Sequence, residues 1–268
     1  VSIGRDIRIG LSKMTSKKKQ IQVDETQRIL NDKTDFNVVE TYKSIRTNIM
    51  FSLPKSDKGK VIVVTSSIPG EGKTTTSINL AITFAQTGVK VLLVDCDLRK
   101  SRTHRYLQLE RNAGVSNVLC GFKTLNSVIA KNVRDNLDFI SAGEIPPNPA
   151  ELIESDEFEK MVEEMRENYD YIFIDTPPVD VVTDAILTMR HCDGTVVVVR
   201  REVTTFDMLD QTMESIETSN AKVIGAIVVG EAEKKGAYGY YKSGKYGYKY
   251  GYKYGYKYDY KYSDEDNK

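Results

Sequence analysis

Along the middle of this chain, short β-branched runs alternate with longer stretches whose apolar residues recur every three or four positions. The short runs are bounded by turn or polar residues and read as buried strands, over 61–66, 90–95, 137–141, 170–175, 194–200 and 222–229. The longer stretches predict helices over 74–86, 156–168, 181–190 and 205–219. Upstream, Val38, Val39, Tyr42, Ile45, Ile49 and Met50 keep the helical interval until Pro54 ends it. Parallel strands need long crossovers, and helices are their usual form. The alternation therefore predicts an α/β domain over 37–230 with a mostly parallel central sheet flanked by helices.

The two ends read differently. Residues 1–36 are polar and weakly patterned, with a basic cluster at Lys17, Lys18 and Lys19, and are expected to form an arm or linker. Met14-Thr15-Ser16-Lys17 looks like a second start, which leaves three readings of residues 1–13: native sequence, an upstream extension or a fused piece. From 231 to 268, apolar residues other than tyrosine nearly vanish, and every even position from 246 to 262 is tyrosine. A strand there would carry all its rings on one face with nothing to cover them. A flexible tail is the expectation.

Composition narrows the function. Lys+Arg and Asp+Glu are each 38, so the zero formal charge gives no bulk attraction to nucleic acid, and no nucleic-acid partner is expected. No apolar run approaches the roughly 20 residues of a membrane helix, and the N-terminus lacks a secretory pattern, so the cytoplasm is the default compartment. Three scattered cysteines, never C-x-x-C, are expected to be buried reduced thiols. His104 and His191 are the only histidines, which disfavours histidine-based nucleophilic catalysis.

The strongest local signal is Thr65-Ser66-Ser67-Ile68-Pro69-Gly70-Glu71-Gly72-Lys73-Thr74-Thr75, set between a strand and a helix. That is the context of a phosphate-binding P-loop (Walker A), where backbone N–H groups and a helix N-terminus converge on an anion. Gly70 and Gly72 allow conformations a side chain would hinder. Lys73 can neutralise β- and γ-phosphates, and the Thr74 hydroxyl is placed to ligate Mg²⁺. Ser67 departs from the Gly or Ala usual at the first position of the motif. Two further strands end in acids, at Asp95 and Asp97 and at Asp175. Three carboxylates at strand ends beside a phosphate loop imply a divalent cation that offsets their repulsion. Asp175 has the place of a Walker B acid; Asp95 or Asp97 could orient the metal or take the proton of an attacking hydroxyl.

With these motifs in order, followed by a tyrosine cluster, the chain resembles the bacterial P-loop tyrosine kinases of capsule and exopolysaccharide operons, in their soluble Gram-positive form. The resemblance implies an ATP- and Mg²⁺-dependent kinase in which Lys73 and Thr74 hold phosphate and metal, Asp95 is the base, and Asp97 and Asp175 serve the metal. It implies that Tyr246, Tyr248, Tyr250, Tyr252, Tyr254, Tyr256, Tyr258, Tyr260 and Tyr262 accept phosphate in trans. Pro146-Pro147-Asn148-Pro149-Ala150-Glu151-Leu152 matches a further family segment. The family's E-x-x-R-x-x-R helix, which packs subunits into a ring, is matched by Glu40, Lys43 and Arg46; lysine at 43 lacks the bidentate fork of arginine. The implied partners are further copies of the chain, a membrane-spanning activator (a polysaccharide co-polymerase) that recruits the kinase to the inner face of the plasma membrane, and a phosphotyrosine phosphatase. Residues 1–13, if fused, are a candidate activator tail. The last strand ends Val229-Gly230-Glu231, where relatives often present an adenine-reading Asn, so the adenine contacts stay open.

Lys242, Lys245, Lys249, Lys253, Lys257 and Lys261 make the unmodified repeat basic, suited to an aspartate-lined site. Each phosphate adds about −1.5 to −2 charges, so two or three cancel that excess. Two other classes stay open: an ATPase switch like the septum-positioning and partition proteins, weakened because Ile68 stands where those carry a second lysine, and a nucleotide-gated scaffold.

Overall fold

The computed structural model describes residues 25–230; residues 1–24 and 231–268, with the basic cluster and all the expected phosphoacceptor tyrosines, lie outside the described residues. One seven-stranded sheet organises the described part, in the order β3-β4-β2-β5-β1-β6-β7. Its strands are β1 (Lys60–Ser66), β2 (Val91–Asp95), β3 (Ala130–Arg134), β4 (Leu137–Ile140), β5 (Tyr171–Asp175), β6 (Gly194–Arg200) and β7 (Val223–Val229). All neighbours pair in parallel except β3, which runs antiparallel to β4 at one edge.

Strand alternation divides the core in two. Val61 and Val63 of β1, Leu92 and Val94 of β2, and Ile172 and Ile174 of β5 face one side. There they meet Phe158, Met161, Val162 and Met165 of α7 (Asp156–Asn168), Ala185 and Met189 of α8 (Asp184–Met189) and Ile216 of α9 (Phe206–Thr218). Ile62, Val64, Leu93 and Phe173 face the other, against α2 (Lys73–Ala85) and Ile49 of α1 (Phe36–Ser52). Every residue of β1 is buried, as expected of a central parallel strand covered on both faces. Every α2 residue from 76 to 85 is buried because α1 covers its outer side.

Several expectations change. Ile29 and Leu30, placed by sequence in a polar arm, are 2 and 3 % exposed and belong to the α2-side core. Asn79 of α2 holds them: its Oδ1 accepts from Leu30 N–H at 2.9 Å and its amide donates to the Arg28 carbonyl at 3.1 Å. Two apolar residues in a polar stretch give no period, so only docking reveals them. On α1, Ile49 is buried and Val39, Tyr42 and Ile45 pack partly, but Val38 and Met50 are exposed. Strand β3 was missed because its residues are mostly exposed and polar and show no alternation. Short helices also fill the stretches between the long elements: α3 (Thr103–Tyr106), α4 (Val115–Leu119), α5 (Leu125–Val128) and α6 (Pro149–Ile153). The matched proline-rich segment runs into α6, whose N1 or N2 position holds a proline. The cysteines are free, and Cys96 is buried, but Cys120 at the end of α4 is exposed.

Candidate active site

The loop after β1 leads into α2 at the centre of the sheet, outside the carboxyl ends of the strands, where open α/β sheets bind ligands. Gly70 and Gly72 have φ of +89° and +92°, which side chains resist. A Cβ would meet nothing at Gly70, and at Gly72 only the Val229 side chain at 3.5 Å, so backbone angle and not crowding demands these glycines. No side chain caps α2, and the bond that closes its first turn runs from Thr76 N–H to the Gly72 carbonyl at 2.9 Å. The N–H groups of Lys73, Thr74 and Thr75 therefore have no acceptor within the helix and are open to an anion.

The loop is braced from outside. Glu71 is fully buried; its Oε2 accepts from Ile68 N–H at 2.9 Å, and its Oε1 accepts from the Thr204 hydroxyl just before α9. Arg200 of β6 donates to the Gly70 carbonyl at 2.8 Å. Ser67, the unusual first residue of the motif, accepts from the Thr212 hydroxyl of α9 at 2.8 Å, so a hydroxyl here ties the loop to a helix. Pro69 lies in the same turn.

Parallel pairing of β2 with β5 sets Asp95 directly opposite Asp175 in register. Lys73 Nζ lies 3.5 Å from Asp97 Oδ2 and 3.6 Å from Asp175 Oδ1. Asp175 accepts from the Thr74 hydroxyl at 2.7 Å and the Ser77 hydroxyl at 3.1 Å. Asp95 accepts from Asp97 N–H at 3.1 Å and the Ser101 hydroxyl at 2.7 Å. Burial, then the facing Asp175, pushes the Asp95 carboxyl up to about 6. Burial raises Asp175 as well, against the pull of Lys73. Burial works against charge on Lys73, but Asp175, Asp97 and Asp95 together outweigh it and hold the ammonium above its usual range. The fold thus brings Lys73, Thr74, Asp95, Asp97 and Asp175 together.

The model of the AAA domain family matches residues 59–226. Tyrosine-protein kinase YwqD of Bacillus subtilis is 39% identical over 203 residues, which cover 75% of this chain and 85% of that protein. The chain belongs to the bacterial tyrosine-protein kinases. Among solved structures, the kinase domain of Escherichia coli tyrosine kinase ETK superposes with a TM-score of 0.69 at 32% identity, covering 75% of this kinase and 80% of that chain. The chimerical protein CapA2B2 gives 0.67 at 40% identity, covering 70% and 83%.

Sequence reasoning missed several groups that the kinase brings to this point. Ser77 lies one turn after Lys73, so its spacing on the helix could have found it. Ser101 and Thr103 fold back onto Asp95 and Asp175 from beyond the motif, and no local pattern marks them. Arg99 forms a two-pronged pair with buried Asp184 at 2.8 and 2.9 Å, fixing the turn that carries Asp97. Of the three expected interface residues, Lys43 pairs with Glu40 at 2.8 Å on α1, and Arg46 donates to the Thr83 carbonyl of α2 at 2.7 Å.

Proposed function

We propose that this kinase transfers the γ-phosphate of ATP to the tyrosines at even positions 246–262 of another copy, in the service of capsule or exopolysaccharide synthesis. The supporting observation is one lysine held between Asp97 and Asp175 at an uncapped helix N-terminus, with Asp95 opposite. The open N–H groups and Lys73 suit the triphosphate. The Thr74 hydroxyl with Asp97 and Asp175 suits Mg²⁺, which takes a few protein oxygens beside phosphates and waters. Among the described residues no three His, Cys, Asp or Glu side chains form a self-sufficient ion cage, and a metal–nucleotide site needs none. When bound, Mg²⁺ offsets charge on the phosphoryl oxygens.

Asp95 takes the proton. A phenol with pKa near 10 must lose it on attack, and a carboxylate raised to about 6 stays ionised at neutral pH while gaining basicity. Lys73 stays charged throughout, because three carboxylates hold its proton.

The kinase works as a homo-oligomer, with α1 as the contact. Phe36 and Phe51 at its two ends are 73 and 85 % exposed, and Glu40 and Lys43 lie between them. A membrane-spanning activator supplies attachment to the inner face, and a phosphotyrosine phosphatase resets the tail; no helix among the described residues is long and apolar enough to cross a membrane. Incubation of the purified chain with MgATP, followed by mass mapping of phosphotyrosine with Lys73→Met as control, tests the reading. Lysine-dependent label on the tail supports it; release of free phosphate without tail label overturns it.

A further inference from the structure

Between the acids of β2 and the end of α3 the chain reads Leu98-Arg99-Lys100-Ser101-Arg102-Thr103-His104-Arg105. Arg99 is committed to Asp184. Lys100, Arg102 and Arg105 are exposed, and among the described residues none of them forms an ion pair. The segment that carries them is nevertheless tied to the catalytic acids through Lys100 and Ser101, and Arg105 to Arg102 in turn. Lys100 N–H donates to Asp97 Oδ1 at 2.9 Å, the Ser101 hydroxyl to Asp95 Oδ2 at 2.7 Å, and Arg105 N–H to the Arg102 carbonyl at 2.9 Å. Burial, and after it Arg105 and Arg111, depress the nearby His104. The acidic floor of the site is thus followed in the chain by three exposed cations, the lip, within a few residues of groups that touch Asp95.

The candidate substrate is divided the same way. Its repeat carries Lys249, Lys253, Lys257 and Lys261, and then the sign reverses at Asp264, Glu265 and Asp266. Three clustered acids and three unpaired cations are a complementary match, and each arginine can grip a carboxylate through two donors.

We propose that Lys100, Arg102 and Arg105 hold Asp264, Glu265 and Asp266 of another copy's tail, so that the tyrosines just before the acids enter the site first. This rests on the tail being the substrate. Extended chain spans roughly 3.3 Å per residue. Tyr262 and Tyr260 stand two and four positions before Asp264, about 7 and 13 Å of extended chain from acids held on the lip. Tyr246 is reached only after the acids let go.

The test uses the full chain with MgATP, following each tail tyrosine by mass over time. In the tail variant D264N/E265Q/D266N, the initial rate of label at Tyr260 and Tyr262 falls about tenfold, the order expected for several exposed ion pairs acting together. Label on the earlier tyrosines changes little. Mixing the lip variant K100E/R102E/R105E, its tyrosines at even positions 246–262 changed to phenylalanine, with a Lys73→Met chain bearing D264K/E265K/D266K restores the early label on Tyr260 and Tyr262, which a merely structural role for the lip would not do. Unchanged rates and order in the tail variant overturn the inference while leaving the tail as substrate. No lysine-dependent tail label in the unaltered chain overturns the parent reading and the inference with it.

Discussion

The carboxyl and amino ends of the central strands carry similar charged residues in opposite states. At the carboxyl ends Asp95, Asp97 and Asp175 share Lys73, whose two ion-pair distances are 3.5 and 3.6 Å. The carboxyl-end acids have close hydroxyl and backbone donors, but at the amino ends the cations themselves come closer, at 2.7 Å in Arg166–Asp193 and 2.9 Å in Lys131–Asp138. Asp193 accepts from Arg166 and from Val61 N–H, both at 2.7 Å, and Asp170 accepts from Lys90 N–H at 2.7 Å. Asp138 accepts from the Tyr169 hydroxyl at 2.6 Å and Lys131 at 2.9 Å. The carboxyl shifts follow: Asp95 is raised to about 6, while at Asp138 the donors outweigh burial and lower it. Close ion pairs hold one end of the sheet together; at the other, burial and the mutual repulsion of the carboxylates outweigh the pull of Lys73. Proteins commonly give up stability at such sites.

Lys73→Met should break the carboxyl-end site most severely. It removes the phosphate cation and leaves three carboxylates without a counter-charge, and tail labelling should fall by about a thousandfold or more. The folded protein should persist, as far-ultraviolet circular dichroism would show. Arg166→Ala is the matching cut at the amino end. It strips Asp193 of its cation and the Gly59 and His191 carbonyls of their side-chain donor, and should cost about 3 kcal/mol in denaturant unfolding. Its labelling rate per folded molecule should stay near that of the unaltered chain.

Asp95→Asn separates the two ends by sign. The folded carboxyl sits near 6 and the unfolded one near 3.8, so as pH rises between those values the unfolded chain releases a proton that the folded chain keeps. Asp95 therefore costs the nucleotide-free protein stability across that window, a cost the variant is spared. The variant should be more stable by ~1–3 kcal/mol above pH 6 and equal below pH 4, although its tail labelling is lost. A melting series from pH 4 to 7 reads the difference; a constant gap across the series would contradict it. The smallest effect concerns an exception at the amino end. Lys60 Nζ is buried without a hydrogen-bond partner, so Lys60→Met should stabilise by about 1 kcal/mol with no change in labelling.

The sequence alone determined the alternating α/β pattern, because burial on both faces leaves each inner strand as a legible apolar run. It also determined the phosphate loop, since the positive φ at Gly70 and Gly72 limits which residues can stand there, and it placed one acid group after each of two strands. Only the tertiary structure decided that β5 inserts between β1 and β2, which turns two distant acids into register partners. It alone brought Ser101 back onto Asp95, Thr204 onto Glu71 and Asn79 onto residues 28 and 30. These contacts join hydroxyls, amides and backbone across gaps in sequence that carry no periodicity, and the strand order that closes the gaps is a property of the whole packed sheet.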